Sequence, residues 1–171
     1  MSDLLTLQQK YAELLLAIGV NLQPDQPLLV TAELAHADFV RDVVAMAYQA
    51  DARYVHVQWI DTPTERARLL YSGEENLDYV PDYVVNRFRQ MTDERWARLA
   101  LVGSEFPDGL ADVPPERIRR TSVSRRQKVR FYSDAMSANQ IQWCVAAVPT
   151  PAWAQQIFPD LPTDEAVAEL W

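Results

Sequence analysis

The sequence predicts an α/β fold: a mainly parallel sheet of about four or more strands with helices on both faces. Two observations predict it. Four short apolar runs alternate with longer segments whose apolar residues recur every three to four positions. The resulting order, α-β-α-β-α-α-β-α-β-α-α, is that of strands joined through helical crossovers. At 171 residues, 49% hydrophobic and 23% charged, the chain suits one domain with a real core, here expected over residues 1–171.

Asp3 to Ile18 reads as an amphipathic helix on Leu4, Leu7, Tyr11, Leu14, Leu15 and Ile18, with Gly19 as its stop. Pro27–Thr31 is a buried strand. Ala35 to Ala50 is a helix with Val40, Val43, Val44, Ala47 and Tyr48 on one face, and Tyr54–Trp59 is a strand of aromatic and β-branched residues. Thr62, followed by Pro63, is the expected N-cap of a helix through Tyr71. Asn76 to Thr92 is helical, with Pro81 dividing it. Ala97–Val102 is the third strand, Pro114–Met136 a basic helix and Trp143–Val148 the fourth strand. Two short helices, Ala152–Phe158 and Thr163–Trp171, close the chain, the second with Thr163 as expected N-cap and an acidic first turn. Ending on Leu170-Trp171 in mid-pattern suggests a piece of something larger.

Composition excludes several function classes. No apolar run approaches the roughly 20 residues of a membrane span. The N-terminus lacks the basic start and cleavage site of a signal peptide, which points to the cytoplasm. A net charge of −8 argues against nucleic acid as a partner. The four glycines, Gly19, Gly73, Gly103 and Gly109, never fall close enough to cradle a phosphate, so neither the dinucleotide fingerprint nor the phosphate loop is present. The single cysteine, Cys144, lies in an apolar run and reads as a small buried hydrophobe.

Catalytic constellations are scarce. His36 reads as a solvated or capping residue at a helix start, and also as a cleft candidate, because it falls at the C-terminal edge of the sheet where open α/β folds bind ligands. Asp38 cannot share a metal with it, since positions two apart on a helix do not face each other, and zinc needs three or four converging ligands. His56 reads as a packed strand residue. Ser104 resembles half of a nucleophile elbow whose second glycine is replaced by Phe106.

The local oddity is basic. Arg117, Arg119, Arg120, Arg125, Arg126, Lys128 and Arg130 stand against Glu116 alone, a net +6 in a chain whose remainder carries −14. Three readings fit it: a solvated helix face, a docking face for an acidic surface, or recognition of an anion or a peptide carboxylate, for which the planar arginine fork is suited. Trp143, Trp153, Phe158 and Trp171 read as core aromatics. Trp153 also follows the Pro149-Thr150-Pro151 turn at a strand end, where a ligand or a second domain would sit.

Three stretches carry a resemblance: KYAELLLAIGVNLQPDQPLLV (Lys10 to Val30), HADFVRDVVAMAYQADARYVHVQW (His36 to Trp59) and AVPTPAWAQQIFPDLPTDEAVAELW (Ala147 to Trp171). Together they resemble the N-terminal domain of the metal-dependent aminopeptidases that include aminopeptidase T, aminopeptidase S and aminopeptidase II. The resemblance implies a longer parent that removes N-terminal amino acids from peptides. It implies two divalent ions (zinc, cobalt or similar) that polarise the scissile carbonyl and activate a bridging water. The metal ligands of that family lie in a C-terminal catalytic domain, and no position here matches them. It further implies a homodimeric parent. This chain would then be inactive alone, a wall of the substrate chamber docked on its own catalytic domain. His36, Arg125, Arg126 and Trp153 are the candidates for a substrate cleft or inter-domain face. A stand-alone peptide- or anion-binding module is the alternative.

Overall fold

Four parallel strands in the order β2-β1-β3-β4 form the centre of the fold, with β1 spanning Leu28–Glu33, β2 Val55–Ile60, β3 Ala97–Val102 and β4 Trp143–Ala147. The computed structural model describes residues 2–171. The chain forms two compact units: a sheet unit (residues up to Ile60, Trp96–Pro107 and Gln142–Trp171) and a helical unit (Asp61–Arg95 and Asp108–Ile141). The helical unit is inserted in two pieces, between β2 and β3 and between β3 and β4.

In the sheet unit, α1 (Ser2–Leu14) runs into a π-helical turn, Leu15–Gly19, and α2 (Ala37–Gln49) follows a 3-10 turn, Leu34–His36. These helices cover one sheet face. Leu28, Val30, Ala32, Ala97, Leu99, Leu101 and Ala146 point into it and meet Ala12, Leu15, Leu16, Val40, Val43 and Ala47. Each fully buried Leu or Val here contributes about 1.5–3 kcal/mol. Cys144 packs at the edge of this core, half-buried, as a small hydrophobe. The unit closes with α7 (Pro151–Ile157) and α8 (Thr163–Leu170).

The helical unit holds α3 (Thr62–Tyr71), a 3-10 turn at Glu74–Asn76, α4 (Asp82–Asp93), α5 (Pro115–Lys128) and α6 (Arg130–Ser137). Pro81 sits immediately before α4, where its missing N–H costs nothing. Phe88 of α4 and Tyr132 of α6 pack with ring centroids 4.8 Å apart.

Several boundaries differ from expectation, each for a physical reason. The cap of α3 is Asp61, whose carboxylate accepts from the Thr64 N–H at 3.3 Å, so Thr62 is already helical. Thr163 is likewise the first helical residue of α8, and its hydroxyl donates to Gln155 Oε1 at 2.8 Å instead of capping. The expected helix over Pro114–Met136 breaks at Val129, which turns out of helical geometry and is buried. Trp143 is not core: β4 is an edge strand, and Trp143 and Val145 are each about half exposed on the face opposite α1 and α2. Phe158 is only half-buried.

Candidate functional site

Strand order places the topological switch point between β1 and β3, because β2 lies to one side of β1 and the later strands to the other. In open α/β sheets the crevice at that point is the usual ligand position. Here the ring of His36 fills it. His36 is 1% exposed, so it is not solvated, and its side chain makes no cap hydrogen bond to α2. Neither ring nitrogen forms a hydrogen bond of standard geometry. The ring packs beside Gly103, whose hypothetical Cβ would stand 3.3 Å from His36 Nε2.

Burial is the largest influence on His36 and pushes its pKa below the ordinary 6.5. Glu33, the Val148 backbone, Glu105 and the Gly103 backbone oppose that shift. Glu33 is itself engaged: its Oε2 accepts from the Glu105 N–H at 2.8 Å, tying the end of β1 to the loop after β3. Next door, the buried Thr150 donates its hydroxyl to the Ser104 carbonyl at 2.6 Å and accepts from the Trp153 N–H at 3.3 Å. The residues at this edge therefore bind one another. Ser104 shows its carbonyl to Thr150.

Trp153 is half-buried and lines a cleft of about 240 Å³ with Leu7, Tyr11, Pro149, Leu170 and Trp171. Trp171 packs against Tyr11 and Phe39, with centroids 6.0 Å and 5.5 Å away. Tyr11 donates to the Ala147 carbonyl at 3.2 Å.

The basic segment divides in the structure. Its first half is neutralised. Arg117 donates to the Leu69 and Ser72 carbonyls and pairs with Glu74. Arg120 pairs with Glu74 at 2.9 Å and Asp78 at 2.5 Å, and Arg119 pairs with Glu116 at 2.6 Å. With Thr121 and Ser124 these residues form a polar seam along 69–80, and α5 buries no residue of its own. In the second half, Arg126 is exposed and Arg125 turns toward a cleft of about 430 Å³ that it shares with Arg68, Arg87, Tyr79 and Tyr83. Arg125 lowers the pKa of Arg87, second to burial.

Thus His36 and Trp153 sit in the sheet unit, and Arg125 and Arg126 in the helical unit. Sequence reading missed Arg68 and Arg87. The available signal was spacing: Tyr83 and Arg87 on α4, and Thr121 and Arg125 on α5, are both i,i+4 pairs facing one cleft.

A metal centre does not fit the described residues. Among the described residues no three His, Cys, Asp or Glu side chains converge as a divalent ion requires. No helix among them is long and apolar enough to cross a membrane.

Residues 6–171 match the family described as thermophilic metalloprotease (M29). The chain belongs to that family. It is 37% identical over 164 residues to aminopeptidase 2 of Geobacillus stearothermophilus, covering 95% of this chain and 39% of that relative. It is 33% identical over 163 residues to aminopeptidase T of Thermus thermophilus, covering 95% of this chain and 40% of that relative. The solved structure of wild-type AmpT from Thermus thermophilus superposes with a TM-score of 0.86 at 33% identity, over 96% of this chain and 41% of that one. The M29 assignment agrees with the resemblance carried by the three quoted stretches, and the AmpT superposition with the parallel α/β fold. The chain spans about two fifths of the length of the M29 relatives it matches.

Proposed function

We propose that this chain is the N-terminal domain of a metal-dependent aminopeptidase and is catalytically silent by itself. The observation that carries the reading is the family match over residues 6–171 together with coverage of only 39–40% of relatives that bear the name aminopeptidase. The absence of a converging ligand set among the described residues supports placing the metals elsewhere. Two divalent ions of the zinc or cobalt kind, held by a C-terminal catalytic domain of the same protein, would supply the Lewis acid and the activated water. The present chain would contribute a wall of the substrate chamber and restrict entry to peptides. The whole enzyme would act in the cytoplasm, as a homodimer. His36, Arg125, Arg126 and Trp153 remain proposed cleft or inter-domain residues.

A second reading, a stand-alone peptide- or anion-binding module, is favoured by one observation: the three-arginine cleft of the helical unit requires no second domain to exist. A single comparison separates the two. Hydrolysis of a leucyl chromogenic substrate, with cobalt or zinc added, is measured for this chain and for the protein expressed to its gene's own stop codon. Activity in the longer protein alone is the expected result. Activity in both would overturn the silent-domain reading, and activity in neither would leave the binding module in its place.

A further inference from the structure

We infer that the cleft of the helical unit binds the terminal carboxylate of a short peptide, with Arg125, Arg87 and Arg68 as its recognition groups. Three elements build the cleft. Arg68 comes from α3 and is fixed at the wall by donating from Nη2 to the Tyr79 carbonyl at 2.9 Å. Arg87 comes from α4, its guanidinium stacked 5.3 Å from the centroid of the Phe88 ring. Arg125 comes from α5, one helical turn beyond Thr121.

No Asp or Glu lines this cavity. The nearby carboxylates Glu74 and Asp78 are committed to Arg117 and Arg120. Among the described residues Arg125 enters no ion pair. Arg125 thus brings an unpaired charge to the cleft, and an anion entering beside it is attracted by that charge. Arg125 is also felt by Arg87, whose pKa is pushed down by burial and then by Arg125.

The cleft's chemistry selects the class of anion. A volume of about 430 Å³ holds one or two residues of a peptide, not a folded partner or a nucleic-acid strand. Tyr79 and Tyr83 stand 64% and 70% exposed along it, offering apolar ring faces beside the cations, as a peptide's last side chain would use. Planar guanidinium groups match a planar carboxylate in bidentate fashion. The peptide identity rests on the aminopeptidase reading above; the carboxylate chemistry does not.

The test is a titration of the isotope-labelled 171-residue chain, followed through its backbone amide resonances. The probes are Ala-Ala-Ala, the same tripeptide with a C-terminal amide, and sodium acetate. The free-acid tripeptide should shift the amides of Tyr79, Tyr83, Arg87 and Arg125, and bind roughly tenfold or more tightly than the amide form. Arg125→Gln should weaken it about five- to tenfold, Arg125→Lys less, and Arg119→Gln, on the same helix but outside the cleft, should leave it unchanged; the spectra themselves report whether each variant is folded. Equal binding of acid and amide, shifts lying outside the cleft, or equal losses in the Arg125 and Arg119 variants would overturn the site. Acetate binding as tightly as the tripeptide would overturn the peptide assignment. Binding that survives while the longer protein shows no aminopeptidase activity would sink the enzymatic reading and keep the site.

Discussion

Gly103 and Val148 are so close that a methyl group on the Gly103 Cα would stand 2.0 Å from the Val148 carbonyl oxygen. This contact brings the ends of β3 and β4 together at the edge where His36 is buried. The Val148 N–H donates to the Val102 carbonyl at 2.8 Å, so neither strand can shift without losing a ladder bond. Gly103→Ala should therefore destabilise the chain by about 1–3 kcal/mol, the scale of forced backbone strain. Gly73→Ala is the contrast. The nearest atoms to its new Cβ would be those of the exposed Glu75 carboxylate, which can swing away, and its φ of −58° is ordinary. Urea denaturation should show no loss there, or a gain of up to about 1 kcal/mol from the stiffer unfolded chain.

His36 should make stability pH-dependent. Its folded pKa lies below the ordinary 6.5, chiefly through burial. Between the folded and unfolded values the unfolded state holds more protons, so stability rises with pH across that window. The contribution is complete above about pH 6.5 and is lost as pH falls from there to the folded pKa. Denaturation midpoints at pH 5, 6 and 7.5 should fall toward acid in the native chain. His36→Gln should flatten that part of the slope, and an unchanged slope would remove His36 as its source.

How much of this was legible in the sequence depends on what kind of force set each feature. The strand Ala97–Val102 and the start of α4 just after Pro81 were readable because local chemistry decides them, a short apolar run and a missing N–H, whereas residues 77–81, expected as helix, are not helical. The break at Val129 had no such mark, since a valine does not by itself end a helix. Trp143 misled because its exposure depends on β4 pairing only with β3, a fact of strand order absent from the residues around it. His36 was placed at the right sheet edge, but its burial depends on Gly103 and Val148, distant in sequence. The basic segment looked uniform because charge counting cannot show that Glu74 and Asp78 neutralise Arg117 and Arg120 while Arg125 faces a cleft.

The polar seam of α5 predicts an uneven cost along one helix. Arg117 has only 15% of its side chain exposed, and it serves two main-chain carbonyls as well as Glu74. Arg117→Met should cost about 2–3 kcal/mol, since it leaves those acceptors poorly satisfied. Arg119→Met removes an exposed pair with Glu116, three residues away on the same helix, and should cost about 0.5 kcal/mol or less. Paired urea denaturation curves at neutral pH would measure both, and equal effects would mean that the seam does not hold α5 in place.

Thr150 joins two elements with one hydroxyl, and substitution can separate the effect of that hydroxyl from that of the methyl beside it. The hydroxyl donates to Ser104 beyond β3 and caps α7 by accepting from Trp153. Thr150→Val keeps the shape but removes both bonds in a site that is 1% exposed, so it should cost about 1–3 kcal/mol. Thr150→Ser keeps the hydroxyl and loses one methyl, and should cost about 1 kcal/mol or less. Thr150→Ala loses both bonds and the methyl and should be the least stable of the three. Thermal unfolding would order them native, Ser, Val, Ala. Val matching the native protein would show that the methyl packing, and not the hydroxyl, holds the start of α7 against the loop after β3.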